Sequence, residues 1–440
     1  MKINLFTITS SLHDRAAVEN ISDSFLESLH CDFDIKGEHF EEFGTCGADI
    51  IYIRTGGAEG IFKSLLPDML EKGVRHFNLL ASGKSNSLAA SLEILSFLRQ
   101  EGLSGEVLHG SPEYIKGRID TLAAVAEAMQ KLQGARIGVV GKPSDWLIAS
   151  DTDREAVFSK TGITFEDIPM SELLEEIARC PKEEPHHCCH GGGGCHHGEG
   201  GCHHEEGGCH HGEGECRHHE EGEGHCCHHG DGKNPVKEAL PGALQILDAL
   251  AKLVSRHRLD ALTLRCFDLL DTVKNTGCLA LATLNSRGIP SSCEGDIPAL
   301  LSMMIARAVT GHSGFQANPS RIDVEKGEIL FAHCTVPFDI ITSAAFDTHF
   351  ESGIGVGIHG ELPEGPVTVF KVSGDLGRCF IAEGTLTANQ YEDNLCRTQV
   401  RVSIPPEKAR YFLTDPIGNH HIVIPGHYGP MLSALLSSLL

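Results

Sequence analysis

Along its first 133 residues the chain alternates short apolar runs with amphipathic ones, separated by turn-rich loops. Residues 3–9, 48–54 and 76–80 read as strands, and 16–30 and 88–99 as helices. Repetition of strand, turn and helix constrains the fold strongly, because parallel strands need helical crossovers on their faces. It predicts a doubly wound parallel sheet with its ligand side at the carboxyl ends of the strands. Gly56 and Gly57, after the second of these strands, and the loop 82–87, after the third, are therefore candidate substrate contacts. A second α/β unit is expected over 134–337. It opens with a buried strand at 135–141 and a loop holding Trp146, the only tryptophan, as a further candidate contact.

Residues 186–232 interrupt this second unit. Cys195-His196-His197, Cys202-His203-His204 and Cys209-His210-His211 recur at seven-residue spacing among glycines and glutamates. The segment has no apolar a and d positions, so it is not a coiled coil. Nor does it carry enough apolar surface to form a core. Its thiolates and imidazoles suit Zn²⁺, Ni²⁺ or Cu⁺. Eight of the 17 cysteines lie here, between Cys188 and Cys227, so the count does not imply a disulfide scaffold. The N-terminus runs straight into a strand without an apolar leader, and no run of about 18 apolar residues exists. A cytoplasmic protein that neither spans nor binds a membrane is expected. The formal charge of −24 argues against a nucleic-acid surface.

From residue 338 the composition turns to short strands, at 353–360, 365–372 and 378–386, which predicts a C-terminal antiparallel β-barrel over 338–440. The expected architecture is thus two Rossmann-like doubly wound domains (1–133 and 134–337) followed by a barrel.

Acids and histidines gather in the second half. Ser291-Ser292-Cys293-Glu294-Gly295-Asp296-Ile297-Pro298 precedes a helix-patterned run, with apolar residues at 297, 300, 301, 304 and 308. Pro298 suits a first helical turn and Asp296 an N-cap. Gly295 permits a sharp turn that aims Glu294 across the helix top. Asp268 and Asp271 follow a strand at 258–266, His333 ends a hairpin, and His420 and His421 lie in a late loop. Carboxylates with imidazoles form a ligand set for Mn²⁺ or a similar divalent ion.

The Cys293–Pro298 stretch, the Ala332-His333-Cys334 strand end and the Gly418-Asn419-His420-His421 loop resemble the L-fucose isomerase/L-arabinose isomerase family. The similarity spans about residues 1–180 and 235–440, and the His/Cys insertion departs from it. The resemblance implies a metal-dependent enzyme that interconverts an aldose and a ketose through a cis-enediol. It also implies a small sugar substrate and a trimer or hexamer. Carried over by residue, Glu294 becomes metal ligand and acid/base, Asp296 and His333 further ligands, and His421 the late histidine ligand. His420 is its rival for that place and a substrate contact. The family's first carboxylate has no glutamate counterpart here; Asp268 or Asp271 stands in its region, with Asp268 the catalytic candidate. The alternatives are a metal-handling protein that works through its Cys–His–His heptads, and a sugar binder without turnover.

Overall fold

The computed structural model describes residues 3–44, 48–181 and 234–439. The Cys–His–His heptads, Cys195 to His211 included, lie outside the described residues.

Strands β1 (Ile3–Ile8), β2 (Phe33–Gly37), β3 (Asp49–Ile53), β4 (His76–Leu80) and β5 (Ser104–Leu108) form a parallel sheet in the order β2-β1-β3-β4-β5. All of β1 and most of β3 are buried, as a sheet covered by helices on both faces requires. The outer strands β2 and β5 are short and half-exposed, and their polar composition hides them in the sequence. The helix Pro112–Leu132 begins where Ser111 caps it and Pro112 fills its first turn.

A second parallel sheet has the order β7-β6-β8-β9, from β6 (Arg136–Val140), β7 (Thr164–Ile168), β8 (Ala261–Leu264) and β9 (Ser291–Cys293). The helices Met170–Arg179 and Pro235–His257 flank the undescribed stretch and pack together on this sheet.

The antiparallel barrel is closed. It consists of β10 (Phe315–Asp323) and β11 (Glu328–His333), with β14 (Gly365–Val372), β15 (Cys379–Gln390), β16 (Thr398–Ser403) and β17 (His421–Pro425). The hairpin that delivers His333 belongs to it, so its strands begin upstream of the β-rich composition at 338. The Gly-rich run at 353–360 does not join the barrel. Its end, β13 (Gly357–Glu361), pairs instead with β12 (Ser343–Asp347) in a separate ribbon.

The helix Ile297–Thr310 lies between the second sheet and the barrel. Leu300, Leu301 and Met304 share a core with Ile137 of β6, Phe370 of β14 and Ile422 of β17. Its N-terminus therefore opens where the sheet's carboxyl edge meets the barrel. Among the described residues, no helix is long and apolar enough to cross a membrane.

Candidate metal centre

β9 ends in a backbone turn of unusual geometry. Glu294 has φ +65° and Gly295 φ +74°, two left-handed residues in succession. A Cβ on Gly295 would stand 2.7 Å from both the Lys142 carbonyl oxygen and Pro143 Cα, so only glycine fits. The turn is pinned on both sides: Gly295 N–H donates to the Leu264 carbonyl (3.0 Å), and Ser144 N–H to that of Glu294 (2.9 Å). Asp296 then caps the helix, its Oδ1 accepting from Ala299 N–H at 2.8 Å.

This turn brings Glu294 to two histidines from the barrel. Glu294, His333 and His420 are all buried, and one ligand atom from each lies within 4.8 Å of the others. Glu294 Oε1 is 3.5 Å from His420 Nε2 and 3.8 Å from His333 Nε2. Every outward-facing atom of the group has a holder. His420 Nδ1 meets Asp296 Oδ2 at 2.8 Å, His333 Nδ1 meets Thr335 Oγ1 at 3.0 Å, and Trp146 Nε1–H donates to Glu294 Oε2 at 2.7 Å. His420 Nε2 is buried with no hydrogen-bond partner among the described residues. A carboxylate that holds one imidazole nitrogen while the other faces inward is the support that metal-ligating histidines commonly receive.

The electrostatics favour a cation at the centre. Burial opposes ionisation of Glu294, yet His333 and His420 outweigh it and hold the carboxyl far below its usual range. Burial likewise opposes Asp296, but the Lys371 ammonium and His420 keep it at about 2. His420 answers them: despite its burial, Asp296 and Glu294 raise it to about 9. Without a metal, the group thus holds a proton between two carboxylates, and a divalent ion would supply positive charge at the same point. His333 is pushed down by burial, which leaves it neutral and fit to ligate. The donor set, the orphaned Nε2 and the buried negative charge all fit a divalent metal.

The remaining predicted residues are not among the three converging ligands. His421, although adjacent to His420, points into the barrel among Phe380, Tyr411 and Phe412. Both its ring nitrogens are engaged, by Tyr411 Oη (3.1 Å) and the Asn419 carbonyl (3.0 Å), and burial pushes it down to about 3. Successive side chains near a strand face opposite ways, so only one of the pair can reach Glu294. Asp296 has both oxygens occupied, by the cap and by His420, and stands behind the group rather than in it. Asp268 pairs with Arg265 (2.9 Å), which also holds Asp145. Gly56 and Gly57 lie at the carboxyl edge of the first sheet against Asn86 and Ser10.

Three residues that the sequence reading passed over border the site. Phe267 stacks edge-on to Trp146 (4.9 Å) and to His349 (5.7 Å), so the loop after β8 meets the loop after β12. Burial, then the neighbouring imidazole of His333, lowers His349 to about 4. Glu351, two residues on, has its carboxyl pushed up by burial and by the negative charge of Glu294. No motif marks these residues, because only the folded loops bring them beside Glu294.

No protein-family model matches the chain. The chain is similar to the sulfoquinovose isomerases of Priestia aryabhattai and Priestia megaterium (strain ATCC 12872 / QMB1551). It is 24% identical to each over 296 residues, covering 66% of this chain and 59% of each relative. It is 25% identical over 265 residues to the sulfoquinovose isomerase of Clostridium sp. (strain MSTE9), covering 59% of this chain and 50% of that relative. The match thus spans less than two thirds of the relatives' length. Each of these relatives is, by name, a sugar isomerase.

Proposed function

We propose that this chain is a divalent-metal-dependent sugar isomerase that interconverts an aldose and a ketose. Sulfoquinovose, the sugar in its relatives' names, is the first substrate to test. The observation that carries the proposal is the convergence of Glu294 Oε1, His333 Nε2 and an unpartnered His420 Nε2 in a buried group.

In this reading Glu294, His333 and His420 hold a divalent metal; one carboxylate and two imidazoles suit a first-row transition ion, and Mn²⁺, the ion that the family resemblance implies, is the first to test. When bound, the ion supplies a Lewis acid for the charge that develops on the sugar's carbonyl and hydroxyl oxygens. The chain supplies the rest. Asp296 and Thr335 fix the two imidazoles, and Trp146 fixes Glu294. A carboxyl held far below its usual range makes Glu294 a strong ligand and a poor proton carrier. Proton transfer between adjacent sugar carbons therefore falls to other carboxylates. Asp268, paired with Arg265, serves as base, and Glu351, with its raised carboxyl, as acid. Catalysis is efficient when a proton carrier titrates near the working pH.

The test is an isomerisation panel of pentoses, hexoses, 6-deoxy sugars and sulfosugars with added Mn²⁺. The wild type should turn over at least one sugar. Glu294→Gln should lose both metal and turnover. Asp268→Asn and Glu351→Gln should keep the metal and lose about 10²–10⁴-fold in kcat. Turnover that survives in Glu294→Gln would refute the proposal.

A second reading, metal handling by the Cys–His–His heptads, rests on their spacing. In it the insertion takes Zn²⁺, Ni²⁺ or Cu⁺, and the isomerase scaffold is its carrier.

A further inference from the structure

Lys371 sits on β14 with its side chain 1% exposed. Its neighbours on the strand, Val369, Phe370 and Val372, are buried and apolar. A residue needed only for packing here would resemble them, because an ammonium loses its hydration on burial. Among the described residues, Lys371 Nζ has no hydrogen-bond partner, and the charge it faces is Asp296, with Oδ1 3.6 Å away.

Asp296 is the link. Its Oδ1 takes the cap N–H of Ala299 and faces Lys371, while its Oδ2 takes His420 Nδ1. The carboxylate plane is thus set from three directions, and its orientation fixes the ring of His420 with Nε2 towards Glu294 and His333. We infer that Lys371 is a positioning residue for the metal site, acting through the ion pair that orients Asp296 against His420. The inference rests on the metal reading above. Two effects compete when the ammonium is removed. Its repulsion of a bound cation disappears, which favours the metal. The buried carboxylate also loses its counter-charge and its fixed plane, so His420 loses its anchor. The second effect dominates, since Asp296 touches the ligand and Lys371 stands behind Asp296.

Trp146 gives a local readout. It is the only tryptophan, and its indole N–H donates to Glu294. A Glu294→Gln control separates this response from Mn²⁺ taken up elsewhere in the chain, so the full-length chain can be titrated. The experiment measures Mn²⁺ affinity from Trp146 fluorescence in the wild type, Lys371→Met, Asp296→Asn and the double variant, with circular dichroism as a check on folding. Lys371→Met should bind Mn²⁺ about tenfold more weakly, as loss of an outer partner does. In the Asp296→Asn background the same change should cost nothing further. Affinity in Lys371→Met equal to or tighter than wild type would overturn the inference, as would losses that add in the double variant. If Lys371→Met fails to fold, Lys371→Gln replaces it in the same four-variant comparison and is read by the same two criteria. A wild type without an Mn²⁺ response that Glu294→Gln removes would sink the metal reading and this inference together. A normal wild-type response with a normal Lys371→Met would sink the role of Lys371 alone.

Discussion

At the residue scale, the backbone angles at Glu294 and Gly295 aim the site. Two left-handed residues in succession turn the chain from β9 into its helix, and Gly295 lies against Lys142 and Pro143 with no room for a methyl group. Gly295→Ala should therefore cost about 1–3 kcal/mol from backbone strain, with the clash in addition. A lowered Tm together with weakened metal binding would be the signature; a wild-type Tm would contradict it. Glu294 and His333 could be named as candidates from the sequence, one from its place before Gly295 and a helix start, the other from its hairpin end together with the family resemblance. The choice between His420 and His421 could not be made there. It depends on which side of β17 each ring takes, and that follows from pairing with β10 and β14, far away in the chain. Asp296 presented the same difficulty, because an N-cap and a support for His420 share one sequence signal.

At the element scale, the helices Met170–Arg179 and Pro235–His257 show how the second sheet is held on either side of the insertion. His257 joins them: its Nε2 meets Glu172 at 2.8 Å, and its Nδ1 meets Glu166 of β7 at 2.6 Å. The bond to Glu172 raises the His257 pKa; burial opposes it less strongly, and the bond to Glu166 adds to the rise. Because the folded pKa lies above the unfolded one, the stabilisation is fully present below about pH 6.5. It is lost as pH rises through the raised folded value. The Tm advantage of wild type over His257→Gln should thus be clear at about pH 5.5 and gone well above the raised value. An advantage independent of pH would contradict this. The central strands and long helices were readable because their apolar periodicity runs unbroken. The edge strands β2, β5 and β7 were not, since five half-exposed residues with polar side chains carry no clear period.

At the scale of the whole molecule, the second parallel sheet and the closed barrel meet around one buried helix, and the candidate site lies at that meeting point. Order and class of these parts followed from the alternation of strand and helix and the later turn to β composition. The barrel's upstream start at β10 did not, because a hairpin at 315–333 reads alike whether it closes a barrel or extends a sheet. The helices that flank the insertion in the sequence, ending at Arg179 and starting at Pro235, pack together on the second sheet. Deleting 186–232 should therefore leave Mn²⁺ binding at Glu294 intact while the total capacity for Zn²⁺, Ni²⁺ or Cu⁺ falls. Loss of the Trp146 response to Mn²⁺ in that deletion would tie the insertion to the site instead.

The central claim is that Glu294, His333 and His420 together hold a divalent metal. Anomalous diffraction from Mn²⁺-soaked crystals of the full chain tests it most directly. One strong peak is expected, bounded by Glu294 Oε1, His333 Nε2 and His420 Nε2, with Asp296 still on His420 Nδ1. A peak ligated by His421, or no peak within reach of Glu294 under saturating Mn²⁺, would contradict it.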